Sequence, residues 1–204
     1  MKTQRMNVVL LPSEEDRQKF GRFADELAAK FNLMMIVNNK EYIPHLTLYQ
    51  INVKEHHLER AREVTRILSK QSSFFETVED PGRGDNNSFD YNVHLGRKIF
   101  LLHVNALRVF QEVRAHDQAI DIPDADSTDA QRENIKLYGV KNVLKLYRPH
   151  VTIGCVTDED DLELILHFLE KKPVNPVHFT ELALAKINAF GQVYEIVENC
   201  PLAD

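Results

Sequence analysis

The chain has 204 residues, of which 43% are hydrophobic and 27% charged, a composition ordinary for a globular protein. Its 25 basic and 31 acidic side chains give a formal net charge of -6. An acidic chain is poorly suited to wrapping long RNA or DNA, since long polyanions bind through basic surfaces. A nucleotide or short oligonucleotide in a local basic pocket fits that charge. We expect one domain over residues 1–204, acting as a monomer.

The start of the chain and its thiols bear on cellular location. The apolar segment that ends at Pro12 is too short for the core of a signal peptide followed by a cleavage site. The sequence contains no run of about 18 apolar residues, so no membrane-spanning helix is expected. The two cysteines, Cys155 and Cys200, do not form a disulfide framework, and no Cys-x-x-Cys spacing occurs. We therefore expect a cytoplasmic protein.

The first half of the chain alternates between strand and helix patterns. Phe20, Phe23, Leu27 and Phe31 recur at helical spacing after Ser13, a typical N-cap. Residues 81–87 are rich in glycine and asparagine and predict a mobile loop. In chain order, the predicted elements are a strand at 7–11, the Ser13-capped helix, a strand at 43–53, a helix at 58–68, strands at 73–78 and 89–95, and a helix at 99–113.

The second half continues the alternation. Thr128 and Gln131 form a possible capping box for a helix that reaches Tyr138, and Gly139 suits its C-terminal end. The order of elements predicts an α+β protein with mostly antiparallel sheets. In chain order, the predicted elements are an acidic loop at 121–129, the helix to Tyr138, a strand at 147–156, a helix at 160–169, and strands at 177–189 and 193–197.

One short pattern occurs twice, far apart in the chain. Residues 44–48 read Pro-His-Leu-Thr-Leu, and residues 149–153 read Pro-His-Val-Thr-Ile. Chance would produce two Pro-His-x-Thr matches on the order of once in ten thousand chains of this composition. Each pattern falls in a predicted strand followed by a helix, which suggests an old duplication with little surviving identity.

The strand prediction determines which side chains share a face. Side chains alternate along a strand, so the apolar residues Leu46, Leu48, Val151 and Ile153 face a core and their neighbours face the other way. The pattern predicts polar groups held rigidly on packed strands. The two predicted polar faces consist of His45, Thr47 and Tyr49, and of Arg148, His150 and Thr152.

Two histidines and two threonines in this arrangement suit phosphodiester cleavage. That reaction requires one proton to be removed from a nucleophile and another to be given to a leaving oxygen. A neutral and a protonated imidazole can share these tasks, since histidine titrates near neutral pH. Threonine hydroxyls can donate to the non-bridging phosphate oxygens, where negative charge must be stabilised. This scheme requires no metal and no other cofactor.

The paired motifs resemble those of the two-histidine (2H) phosphoesterase superfamily, which includes 2'-5' RNA ligase-like proteins and cyclic nucleotide phosphodiesterases. Residues 147–154, 182–184 and 191–196 also match, as does the opening strand and helix at 6–33. Residues 79–143 show no family signal. The resemblance implies a bilobal fold with two mostly antiparallel sheets, flanking helices and pseudo-two-fold symmetry around a central cleft.

The resemblance also implies roles for individual residues. By motif, His45 and His150 would be the general acid and base, and Thr47 and Thr152 would bind phosphate. Which histidine gives the proton stays open, because it depends on how the substrate lies. Weaker candidates, for which a surface or packing role is an equal alternative, are Tyr49, Arg148 and Tyr194.

The leading hypothesis is a metal-independent hydrolase acting on a 2',3'-cyclic phosphate or a short 2'-5'-linked nucleotide. One alternative is a non-catalytic nucleotide- or RNA-binding module of the same fold. Another is RNA end joining, which runs the same chemistry in reverse. A metal-dependent phosphatase is disfavoured, because the sequence shows no cluster of Asp and His ligands. The acidic stretch 124–135 also lacks the Gly and Glu of a calcium loop. The loops at 82–87 and 121–129 are expected to determine the physiological substrate.

Overall fold

The structure, a computed structural model, describes residues 2–174 and 176–203. Among these residues, no helix is both long enough and apolar enough to cross a lipid bilayer. The helices are α1 (Glu14–Ala28), α2 (Leu58–Leu68), α3 (Arg97–Val109), α4 (Asp129–Tyr138) and α5 (Leu162–Glu170). The strands are β1 (Thr3–Pro12), β2 (Leu33–Ile36), β3 (Leu46–Lys54), β4 (Phe74–Glu76), β5 (Val78–Arg83), β6 (Ser88–Val93), β7 (His150–Val156), β8 (Val177–Ile187) and β9 (Val193–Pro201).

The nine strands form one antiparallel sheet, which confirms the predicted α+β class. Its order is β4-β8-β1-β3-β7-β6-β5, with β9 beside β8 and β2 beside β7. The two expected sheets are thus continuous, but their connection is narrow. Strands β3 and β7 share a single register pair, Leu46 with Val151. The sheet consists of two halves that meet at this pair, and the pseudo-two-fold symmetry between them stays a prediction.

The main hydrophobic core lies between the sheet and the helices. On β1, Met6, Val8 and Leu10 belong to this core, whereas Val9 and Leu11 belong to a smaller cluster. Because side chains alternate along a strand, the two clusters lie on opposite faces of the sheet. The helices cover one face, and the other face is left for the site described below.

Several predicted elements match the structure because their end signals are local. Helix α2 spans the predicted residues 58–68. The Ser13 side chain accepts a hydrogen bond from the backbone N–H of Asp16, as an N-cap does. Thr128 and Gln131 form the predicted capping box of α4, which ends at Gly139 with φ 79°.

The structure differs from the predicted elements at two places. The predicted mobile loop at 81–87 begins as strand, because Pro81, Gly82 and Arg83 pair with β6. Proline is tolerated there, since β5 is the edge strand of the sheet. Strand β2 was not predicted, and it pairs with β7, which is distant in the chain.

Candidate active site

A cavity of about 640 Å³ lies on the face of the sheet opposite the main core. Its volume is in the range of sites for small ligands. His45, Thr47, His150 and Thr152 all line it, so two motifs about a hundred residues apart meet in one place. The narrow junction between β3 and β7 brings them together, because each motif lies beside the Leu46–Val151 pair.

The two imidazoles are anchored in the same way. His45 Nδ1 lies 2.8 Å from the carbonyl oxygen of Ile43, and His150 Nδ1 lies 2.8 Å from that of Arg148. A carbonyl oxygen only accepts, so Nδ1 carries the hydrogen in both rings. In each neutral ring Nε2 therefore holds the lone pair that can take a proton. His45 immediately precedes β3 rather than lying within it, and His150 is the first residue of β7.

Each motif strand also carries one extra residue directly after its threonine. On β3, Thr47 pairs with Val9 and Tyr49 pairs with Val8, which leaves Leu48 unmatched. On β7, Thr152 pairs with Asp90 and Gly154 with Phe89, which leaves Ile153 unmatched. Such bulges bend a strand and re-aim its side chains. The two motifs thus match in backbone geometry as well as in sequence.

The bulge at Leu48 reverses the predicted face of Tyr49, although Tyr49 is still among the residues that line the cavity. One extra residue reverses the alternation beyond it, so Tyr49 joins the main core and is 1% exposed. Its hydroxyl donates to the carbonyl oxygen of Tyr138 at 2.7 Å and accepts from Gln111 Nε2 at 3.3 Å. Gln50, the next residue of β3, also lines the cavity.

The other two candidates for substrate contact differ in position. Arg148 is exposed and lines the cavity together with His150. Tyr194, on β9, is 49% exposed and is not among the residues that line the cavity. Its neighbour Val193 is fully buried, so the tyrosine ring lies on the outer side of this strand.

Burial sets the charge state of one motif histidine. His45 is 6% exposed, and loss of solvation lowers its pKa to about 4. The carbonyl of Ile43 acts in the opposite direction, and the charge of His150 lowers the value further. His45 is therefore neutral at pH 7. Cys155 also lines the cavity, but burial raises the pKa of its thiol to about 11, so it is no nucleophile at neutral pH.

Two further residues hold Thr47 in place, and sequence reasoning missed both roles. Asn7 is fully buried, and its Nδ2 donates to Thr47 Oγ1 at 2.7 Å. Because the threonine oxygen accepts there, its own hydrogen is directed elsewhere. Tyr147 donates from its hydroxyl to the Thr47 carbonyl oxygen at 2.7 Å. The sequence signal for Asn7 is a single amide within an apolar strand.

Tyr147 is itself braced by a buried histidine. The rings of His103 and Tyr147 stack with centroids 3.8 Å apart. His103 Nδ1 donates to the Leu48 carbonyl oxygen at 2.7 Å, and its Nε2 accepts from the Leu144 backbone N–H at 3.0 Å. Burial lowers the pKa of His103 to about 4, so it is neutral at pH 7. This network links the segment before His150 to the strand that carries Thr47.

The cavity is less acidic than the chain as a whole. Four cationic side chains and three carboxylates line it, beside the two histidines. Arg83 pairs with Glu159 at 2.6 Å, and Lys141 pairs with Asp85 at 3.4 Å. Four of the lining residues come from the loops that were expected to determine the substrate, namely Arg83, Gly84, Asp85 and Asp121. Within the described residues, no group of three or more His, Cys, Asp or Glu side chains is arranged to hold a metal ion.

Comparison with known proteins relates this arrangement to a fold. No family model and no curated protein matches the chain. Among solved structures, TT0787 of Thermus thermophilus superposes with a TM-score of 0.60 at 15% identity, covering 97% of each chain. LigT of E. coli in complex with ATP gives a TM-score of 0.56 at 13% identity over 100% of both chains. A structure described as a phosphoesterase gives 0.55 at 14% identity, also over 100% of both. The chain therefore has the fold of LigT, TT0787 and this phosphoesterase over its whole length, in agreement with the resemblance seen in the sequence.

Proposed function

We propose that the protein is a two-histidine phosphoesterase that hydrolyses a 2',3'-cyclic phosphate or a short 2'-5'-linked nucleotide. The observation that carries this proposal is the meeting of both His-x-Thr motifs in one cavity, each imidazole held through Nδ1. Structures of LigT, which has the same fold, contain phosphate, NADP+ and 3'-AMP. These ligands support a nucleotide or its phosphodiester as the class of substrate.

The charge state of His45 supports an assignment of the two proton transfers. A neutral imidazole at pH 7 accepts a proton, so His45 acts as general base through Nε2. It takes a proton from water as the water oxygen bonds to phosphorus. In the same displacement His150 acts as general acid and gives a proton from Nε2 to the leaving oxygen as the other P–O bond breaks. After each turnover His45 has gained one proton and His150 has lost one. Proton exchange with solvent returns both histidines to their starting states.

The remaining groups would stabilise the phosphate during this displacement. Thr47 can donate its hydroxyl hydrogen to a non-bridging oxygen, since its oxygen accepts from Asn7 and the hydrogen is directed elsewhere. Thr152 offers the corresponding hydroxyl from the other half of the sheet. The exposed guanidinium of Arg148 can offset the negative charge at the mouth of the cavity.

Turnover by chelator-treated protein tests the proposed function. The panel comprises the four 2',3'-cyclic nucleotides, RNA with a cyclic phosphate end, and 2'-5'-linked dinucleotides, with products separated by chromatography. We expect at least one class to be hydrolysed, and the protein with both His45 and His150 changed to alanine serves as the blank. Absence of turnover across the panel would exclude the hydrolase. Nucleotide binding without turnover would favour the non-catalytic alternative.

Changing Tyr147 to phenylalanine tests how the two motifs are held together. The substitution removes the hydrogen bond to the Thr47 carbonyl while keeping the ring against His103. We expect kcat/KM to fall by about 3- to 10-fold and unfolding free energy to fall by about 1 kcal/mol. Tyr91→Phe is the matched control, since its buried hydroxyl donates to Leu169 and Lys172 carbonyls and it does not line the cavity. An equal loss of kcat/KM in both variants would contradict a positioning role.

A further inference from the structure

The two halves of the site differ at the residue paired with the motif threonine. Thr47 pairs with Val9 on β1, whereas Thr152 pairs with Asp90 on β6. Thr47 and Thr152 occupy equivalent positions, since both motif strands carry their bulge directly after the threonine. Directly paired residues on neighbouring strands lie side by side on one face of a sheet. One threonine therefore has an apolar neighbour, and the other has a carboxylate.

Asp90 is a buried carboxylate with one oxygen unpaired. It is 3% exposed and lines the cavity. Its Oδ2 accepts from Ser88 Oγ at 3.2 Å, whereas Oδ1 has no hydrogen-bond partner among the described residues. Gly84 leaves room for this group, because a Cβ there would overlap Oδ2. Burying an unpaired carboxylate oxygen is costly, and buried polar groups nearly always have a hydrogen-bond partner. The free Oδ1 therefore indicates a donor that comes from a bound molecule.

The chemistry of Asp90 restricts what that partner can be. A carboxylate accepts hydrogen bonds and repels anions. A phosphodiester offers only acceptors and a negative charge, so it cannot satisfy Asp90. The nucleoside attached to the phosphate does carry donors, namely ribose hydroxyls and the N–H groups of the base. A phosphate beside Thr152 brings these groups close to Asp90.

We infer that Asp90 determines specificity by accepting a hydrogen bond from an O–H or N–H group of the substrate's nucleoside. The inference rests on the proposed function and deepens it, since it concerns the same cavity. The half of the site with Val9 has no equivalent, so the substrate would be held in one orientation relative to the two motifs. The orientation in turn decides which ester oxygen faces the proton donor.

Calorimetric binding of nucleotide analogues tests the inference without requiring turnover. The parent ligand is adenosine 3'-phosphate. Three analogues each lack one donor: the 2'-deoxy compound, the 5'-deoxy compound and purine riboside 3'-phosphate, which has no amino group. We expect the protein to bind one of them about 10- to 100-fold more weakly than the parent, as for a lost hydrogen bond to a charged group. The analogue affected identifies sugar or base as the source of the donor.

Variants at Asp90 then assign the preference to this residue. Asp90→Val copies the other half of the site, and we expect the affinity ratio between parent and affected analogue to fall to about one. Asp90→Asn keeps an acceptor oxygen, so it should retain part of the preference. Removing the carboxylate should also strengthen binding of inorganic phosphate, because a repulsive charge is lost. A general defect in folding would weaken all ligands alike and leave the ratio unchanged.

Several outcomes would overturn the inference. These are equal affinity of the unmodified protein for all four ligands, no binding of the parent, and a preference that persists in Asp90→Val. Mg²⁺-dependent binding that disappears in Asp90→Val would place a cation, not a donor, beside this carboxylate. The proposed function is judged separately: turnover without a donor preference overturns only the inference, and a preference without turnover overturns only the hydrolase.

Discussion

Changing either His45 or His150 to alanine is expected to lower kcat/KM by about 10²- to 10⁴-fold, the range for loss of one general acid or base. Both histidines line the same cavity, and the charge of one lowers the pKa of the other. Because the two proton transfers belong to one displacement, the double variant should be about as slow as the slower single variant. His94→Ala is the control, since this histidine is exposed and does not line the cavity.

The pH profile distinguishes the proposed roles of the two histidines. With a pKa of about 4, His45 stays neutral and able to accept a proton down to that pH. We expect kcat/KM to fall on the acid side with a midpoint near pH 4, as His45 takes up a proton. The two rings interact, so the profile reports on the pair. If the residual kcat/KM of His45→Gln fell on the acid side with the same midpoint, the assignment of this residue as base would be contradicted.

Acid is expected to destabilise the fold through the two buried histidines, and this is the largest expected effect on stability. In the folded protein, burial lowers the pKa values of His45 and His103 from 6.5 to about 4. The unfolded chain therefore binds more protons between these two pH values, and stability falls as pH falls from 6.5 to 4. At about 1.4 kcal/mol per pKa unit, each histidine accounts for roughly 3 kcal/mol.

Urea unfolding at about pH 7.5, 5.5 and 4 measures this effect. His103→Gln should lower stability at the highest of these pH values, because its two hydrogen bonds and its stacking on Tyr147 are disturbed. The same variant should lose less stability than the unmodified protein between the highest and the lowest pH. His167→Gln, at an exposed histidine, is the matched control. An identical pH dependence in His103→Gln and the unmodified protein would exclude His103 as a source of acid sensitivity.

The sequence predicted the elements that have local signals. Helix α2 has a regular apolar face, and α4 has a capping box and a terminal glycine, so their ends could be located. Strand β2 has only four residues and no alternation of its own. It is stabilised by pairing with β7, which is distant in sequence. Such pairing leaves no trace in a short apolar segment.

The motif residues of the candidate site could be predicted from the sequence, but the residues around them could not. Two matching motifs were enough to place His45 and His150 in one predicted site. The face of β3 on which Tyr49 lies could not be predicted, because it depends on a bulge that changes the alternation of the strand. That bulge has no clear sequence signal. Asn7 and Asp90 became candidates only through their neighbours on adjacent strands, the two motif threonines. Contacts of that kind depend on strand order, which single-sequence patterns do not determine.

The narrow junction between β3 and β7 has a consequence for how the chain can be divided. The half with His45 consists of β1, β3, β4, β8 and β9, and the half with His150 consists of β2, β5, β6 and β7. The half with His45 uses both the first and the last strand of the chain, so no single cut between β1 and β9 yields a fragment with that half complete. A cut between β7 and β8, by contrast, leaves all strands of the half with His150 in one fragment. We expect a chain truncated after β7 to lose the half with His45, and with it any activity that needs both histidines.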